Sequence, residues 1–334
     1  AYVLGQLLLG TAAGLYWPAI ELAVPLNCGD LPSGRGYALV RSADALGIGM
    51  GAFMGTIAAS IGQLRLVYGV EAICMASVLI LISVQPLLDE RPMPQGTHSE
   101  SSTGKLDLTW LPPLVPVLVV SVVATGILSL QQSALPLDLV KGGLERPGLS
   151  ESHSSALIAF QLTLLVLLQW PVGRWLSERS VGFGLSLSLV SFATGCTLIG
   201  LSALSASGTG LVMVALLPMA FAQAAFLPTA TEAVVEETPP EHRGLAMAMF
   251  SQCFALSAMA APVVGGNLLD QQGHGLTLWI AVAAISLAVL PLVKGLRPRF
   301  QGGVQGRTNN LSILKQGVQA ASGSKERPVS SNNR

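Results

Sequence analysis

The chain has 334 residues, of which 51% are hydrophobic and only 11% charged, and its mean hydropathy is +0.60. A soluble domain carries about a quarter charged residues, so a water-facing surface is excluded and lipid is the natural solvent. The formal net charge is zero, which removes the electrostatic case for a nucleic-acid partner.

Crossing the hydrocarbon core takes roughly 20 mostly apolar residues. In chain order, such stretches are predicted at about 2–26, 37–60, 66–87, 111–137, 154–173, 181–205, 209–234, 244–268 and 276–296. They are long and continuous, whereas membrane strands alternate every second residue over about ten. Helices are the remaining way to satisfy the backbone in lipid, so the expected class is an all-α membrane protein with nine spans. Residues 88–110 are polar and hold Pro, Ser and Gly, and they part three spans from six. Residues 298–334 are rich in Gly, Ser, Asn and Gln without apolar period and read as a disordered tail.

Lys and Arg give the orientation. Arg35, Arg91, Lys105, Arg174, Arg179 and Arg243 fall on one side, as do Lys294, Arg297 and Arg299 at the tail. Only Arg65, Lys141 and Arg146 fall on the other. The first side is expected to be cytoplasmic, with the C-terminus inside. Trp110, Trp170, Trp175 and Trp279 sit near span ends, where interfacial Trp is expected. Cys28, Cys74, Cys196 and Cys253 make no short metal-type spacing and read as small packing residues. His98, His153, His242 and His274 all fall in polar connections, and no metal site or other cofactor is expected.

Two connections match. Pro32-Ser-Gly-Arg35-Gly36-Tyr-Ala38 is similar to Pro240-Glu-His-Arg243-Gly244-Leu-Ala246, 208 residues on. The span before each carries Pro and Glu: Pro18 and Glu21, then Pro228 and Glu232. The span after each carries a small-residue cluster: Gly51-Ala52-Phe-Met-Gly55, then Ala261-Pro262-Val-Val-Gly265-Gly266. Both copies lie on the same side, six spans apart, which describes a parallel repeat. The second unit opens near residue 111, so the repeat predicts three spans, on the order of 95 residues, upstream of Ala1.

Arg41 and Asp44 lie inside the second span, with Asp44 about 10 Å beyond its start by helix rise. Spaced i, i+3, they share a face. Each intramembrane charge costs roughly 2.5–3.5 kcal/mol on insertion scales, so the pair is expected to face the interior or a wet cavity. They are the candidate coupling or anion site, weighed against a structural ion pair. Glu21 is about as deep, and an adjacent antiparallel helix would bring it to Arg41. Glu232, with Arg179 or Arg174, is the expected counterpart in the second half. Together with Glu178, these groups form a candidate cytoplasmic gate, weighed against static packing.

With the repeat, the polar middle loop, "SLQQSALPLDL" at 129–139 and "QWPVGRWLSER" at 169–179, the chain resembles the major facilitator superfamily over about 1–297, as that family's fourth to twelfth helices. The resemblance implies a two-bundle fold, nine helices present of twelve, with residues 1–87 as the remainder of one bundle, 88–110 as the central loop and 111–297 as the other bundle. It also implies alternating access by rocking, usually coupled to protons. In that family the first, fourth, seventh and tenth helices line the pathway. This marks Tyr16, Trp17, Gln131, Gln132, Gln223 and Phe226 as substrate contacts, suited to an uncharged or amphipathic organic solute. The family's drug antiporters show an Arg where this chain has Gln6, and a Pro where it has Ala52. A uniporter or symporter therefore stays open beside proton-coupled efflux. The expected protein is a non-enzymatic, monomeric transporter in the cytoplasmic membrane, with lipid, a small solute and protons as partners. The alternative is a non-transporting assembly or pigment-handling factor on the same fold.

Overall fold

The computed structural model describes residues 2–28, 33–63, 65–84, 109–294 and 296. The expected tail, nearly all of the central loop, and Pro32, Arg91, Lys105, Arg297 and Arg299 lie outside the described residues.

Each long apolar run is a helix. These are α1 (Tyr2–Asn27), α2 (Ser33–Ser60), α3 (Arg65–Val84), α4 (Leu111–Lys141), α5 (Glu151–Leu176), α6 (Val181–Ser202), α7 (Gly208–Glu237), α8 (Arg243–Gln272), α9 (Leu276–Ala288) and α10 (Leu290–Lys294). A short 3-10 turn, Pro240–His242, leads into α8. Local chemistry marks the ends. Ser150 and Ser180 cap α5 and α6 by accepting from the His153 and Phe183 amides, which satisfies first-turn donors. The amide of Gly142, at φ 88°, closes α4 on the Asp138 carbonyl. The run expected as one span at 276–296 breaks into α9 and α10 around Val289, because Pro291 has no N–H to continue the ladder.

Seven segments among the described residues are long and apolar enough to cross a membrane: Arg65–Val84, Leu111–Lys141, Glu151–Leu176, Val181–Ser202, Gly208–Glu237, Pro240–Gln272 and Leu276–Lys294. α1 and α2 stand at the first two expected positions but outside that set. α2 carries Arg35, Arg41 and Asp44 among its glycines, and α1 interleaves its leucines with Gly, Tyr16, Trp17 and Pro18.

α6 and α7 pack together along their length, and α4–α8, α6–α9, α5–α7 and α2–α5 are the other broad interfaces. α7 turns an alanine-rich surface inward, with Ala220, Ala222, Ala224, Ala225, Ala230 and Ala233 all fully buried. Small residues permit this approach where lipid supplies no hydrophobic drive. At Gly184 on α6, a Cβ would stand 2.7 Å from Thr229 Cγ2 of α7. Hydroxyls add interhelical bonds: Thr125 to Ser257 at 2.7 Å, Ser188 to the Ala222 carbonyl at 2.9 Å, and Ser286 to the Leu189 carbonyl at 2.9 Å. Each such bond averages about 0.6 kcal/mol in a membrane, so they set register more than stability. α3 packs chiefly on α2, and none of its residues is buried.

Candidate functional site

On α1, Trp17 and Glu21 are one helical turn apart and share a face. On α2, Arg41 and Asp44 do the same. The structure joins these faces. Arg41 Nη2 donates to Glu21 Oε1 and Nη1 to Asp44 Oδ2 at 3.2 Å. Glu21 and Arg41 are 5% and 6% exposed, so this pair is well shielded from bulk water and the protein itself supplies its partners. The Tyr37 hydroxyl donates to the Glu21 carbonyl at 2.9 Å, which fastens α1 to α2. The Arg41 guanidinium carbon lies 5.8 Å from the centre of the Trp17 ring, within cation–π range.

Glu21 and Arg41, but not Asp44, line a cavity of about 520 Å³, a size suited to a small ligand. Trp17, Glu21 and Arg41 face Ser251, Gln252 and Phe254 of α8 across it. Glu21 Oε2 is buried and has no hydrogen-bond partner among the described residues.

A second cluster gathers where α2 begins. Arg35 Nη2 pairs with Glu178 at 2.7 Å, and Ser33 Oγ donates to Glu232 Oε1 at 2.6 Å. These contacts tie the start of α2 to the α5–α6 turn and to α7. They differ from the expected partnering of Glu232 with Arg174 or Arg179. Glu232 faces Ser33 with Arg243 in electrostatic reach. Arg179 instead lies over the rings of Trp175 and Phe183, at 5.2 and 5.7 Å. Arg179 and Glu232 do line one small hollow, with Gly34, Gly173, Ser177 and Glu236. Arg174 lies in the last turn of α5 and is not part of that lining. In the connection between α1 and α2, burial pushes the Cys28 thiol pKa up, and the charge of Glu232 adds to the rise.

Of the six expected solute contacts, this cavity gathers one. Trp17 lines it, and Tyr16 packs edge-on against Trp17 at 5.7 Å. Gln131 is buried with its Nε2 unpartnered among the described residues, while Gln132 is exposed. Gln223 is half-buried, and Phe226 is fully buried in the apolar core. The α8 residues Ser251 and Gln252 were not expected. They lie on no pathway helix of the resemblance, and only a three-dimensional arrangement brings them opposite Glu21.

A charged centre at the far end of α4 also escaped the sequence. Asp138 and Arg146 pair at 3.1 Å with side chains 1% and 0% exposed. Asp138 Oδ1 accepts the Gly275 amide at 2.9 Å, and Oδ2 accepts Trp279 Nε1 at 3.1 Å. Arg146 also donates to Ser202 and to the Asp138 carbonyl. The centre joins α4, the α4–α5 loop, α6 and α9. Trp279 is therefore a buried hydrogen-bond donor rather than an interfacial ring. The sequence signal was Asp138 itself, a carboxylate in the apolar run "LPLDLV" that needed a cation nearby.

A comparison with curated proteins returns no match. The Major Facilitator Superfamily model matches residues 117–325, more than half of the 334 residues. With its seven membrane-length apolar helices, the chain is a multi-pass membrane protein that belongs to the Major Facilitator Superfamily, a family of transporters.

Proposed function

We propose that the chain is a secondary active transporter that moves a small organic solute by alternating access. The observation that carries this reading is the cavity between α1, α2 and α8, whose wall holds the Glu21–Arg41 ion pair, with Asp44 bound to Arg41 outside the lining. Charges at that depth are costly and mark solute or ion pathways. In this reading α1 and α2 cross the membrane with the seven apolar segments, and the helices form two bundles, residues 1–87 and 111–297. The C-terminus faces the cytoplasm across the cytoplasmic membrane, and the protein acts as a monomer.

Solute meets Trp17 and the polar groups around it, with Tyr16, Gln131, Gln132, Gln223 and Phe226 lining the route as the bundles rock. Asp44, 33% exposed at its side chain, is the least buried member of the triad and serves as the coupling carboxylate. Arg35, Glu178, Ser33 and Glu232 hold one access state closed, with Arg174 and Arg179 beside them.

The test is solute counterflow in proteoliposomes, repeated under an imposed proton gradient. Flux above that of protein-free liposomes is expected, with a gradient response that Asp44→Asn removes. Flux equal to protein-free liposomes across a panel of neutral and singly charged aromatic solutes would overturn the transport reading. An unchanged gradient response in Asp44→Asn would overturn the coupling role alone.

A further inference from the structure

The charged cluster at the cavity is unbalanced. Glu21 and Arg41 line the cavity and Asp44 binds Arg41 from outside the lining, so two carboxylates share one guanidinium, whose terminal nitrogens are both committed to them. α8 adds Ser251, Gln252, Phe254 and Ala255 to the lining and no charged side chain. The formal balance of the three-residue cluster is therefore one negative charge, with Glu21 as its carboxylate in the lining.

That charge has a specific address. Glu21 is 5% exposed and lines the cavity, and its Oε1 is taken by Arg41 while its Oε2 has no partner among the described residues. A buried carboxylate oxygen without a donor is costly, and a ligand that donates to it removes that cost. An anion would meet a like charge here, and a neutral solute would leave the negative charge uncompensated. Trp17, 39% exposed, offers an aromatic ring, which attracts cations as well as apolar bodies. Gly10, Gly14, Phe254 and Ala255 make the rest of the wall largely apolar.

Resting on the transport reading above, we propose that this cavity binds an organic monocation, a protonated amine on an apolar or aromatic body, whose N–H donates to Glu21 Oε2. Gln252 stands on the opposite wall as a neutral polar contact, and Arg41 holds Glu21 in position while sharing its one positive charge with Asp44.

The test uses the full chain in nanodiscs and equilibrium dialysis with three probes that share one ring system: 1-naphthylmethylamine, 1-naphthylmethanol and 1-naphthylacetate. The amine is expected to bind at least about tenfold more tightly than the alcohol, as one charge-assisted hydrogen bond implies, and the carboxylate more weakly than either. Glu21→Gln should erase the amine preference over the alcohol. Because Glu21→Gln also unpairs Arg41, a second variant acts from the other wall. Gln252→Glu, at an exposed position, should raise the preference for the amine. Equal binding of amine and alcohol by the unaltered chain, tighter binding of the carboxylate, no binding of any probe, or an amine preference that both variants leave untouched would each overturn the proposal. Counterflow separates the two readings. Glu21-dependent amine binding without flux upholds this site and overturns transport. Flux without charge preference does the reverse.

Discussion

Replacing Asp138 by Asn tests whether the centre at the end of α4 is what holds four segments together. Three donors converge on the two carboxylate oxygens: the Gly275 amide on Oδ1, and Trp279 Nε1 and Arg146 Nη2 on Oδ2. An Asn has one acceptor oxygen. If that oxygen takes the Oδ2 position, the amide nitrogen faces the Gly275 N–H, donor to donor. If it takes Oδ1, the nitrogen faces two donors. In either orientation Arg146, with a fully buried side chain, loses its counter-charge. An orphaned N–H costs about 1–3 kcal/mol, and an uncompensated buried charge about 3–5 kcal/mol. These overlap, so the expected loss is about 3–5 kcal/mol, a large share of the 5–15 kcal/mol typical of a domain. The assay is equilibrium unfolding in detergent, followed by tryptophan emission. The loss should be insensitive to salt, because screening acts on exposed pairs. Adding Arg146→Met to Asp138→Asn should recover stability, since the stranded charge is then gone. A loss under about 1 kcal/mol, or single-variant losses that simply add, would refute the reasoning.

Lys141 and Asp270 also pair, but their side chains are 31% and 72% exposed, so Lys141→Ala should cost under about 1 kcal/mol in the same unfolding assay, and less as salt rises. Gly184→Ala should cost about 1–3 kcal/mol by overpacking, because the new methyl meets the β-branched Thr229 at 2.7 Å; adding Thr229→Ala should restore most of it in thermal unfolding. Arg35→Ala removes an exposed pair with Glu178, so stability should move by under about 1 kcal/mol, while cysteine labelling from the two membrane faces should shift if that pair holds an access state. The Cys28 thiol, pushed up by burial and by Glu232, is mostly protonated at neutral pH, so its alkylation should be slower than that of glutathione and quicken as pH rises; Glu232→Gln should speed it at pH 7, and an unchanged rate would remove Glu232 as a cause.

The helices were legible because a run such as Val181–Ser202 leaves the backbone one way to bond in lipid. The fracture at Val289 was written in Pro291, but a window that averages hydropathy passes over one residue. The Glu21–Arg41–Asp44 triad could be anticipated from cost alone, since three charges at similar depth on neighbouring helices have few other partners. The Asp138 centre could not, because its members lie on four segments and Asp138 stood one residue past the expected end of its span. Arg146 read as an ordinary loop charge for the same reason. The partnering of Glu232 also failed on geometry. Spacing along the chain brings Arg179 near it, but the local rings of Trp175 and Phe183 hold the Arg179 guanidinium, and α2 presents Ser33 to Glu232 instead.

The contrast between α3 and α7 bears on how the two helices tolerate change. Among the described residues nothing buries a side chain of α3, so no packing contact in this structure limits the volume of its Leu, Ile, Val and Met positions. α7 is enclosed by α5 and α6, and at its fully buried alanines one added methylene is felt. A saturation library should therefore return a compositional rule from one helix and a volumetric rule from the other.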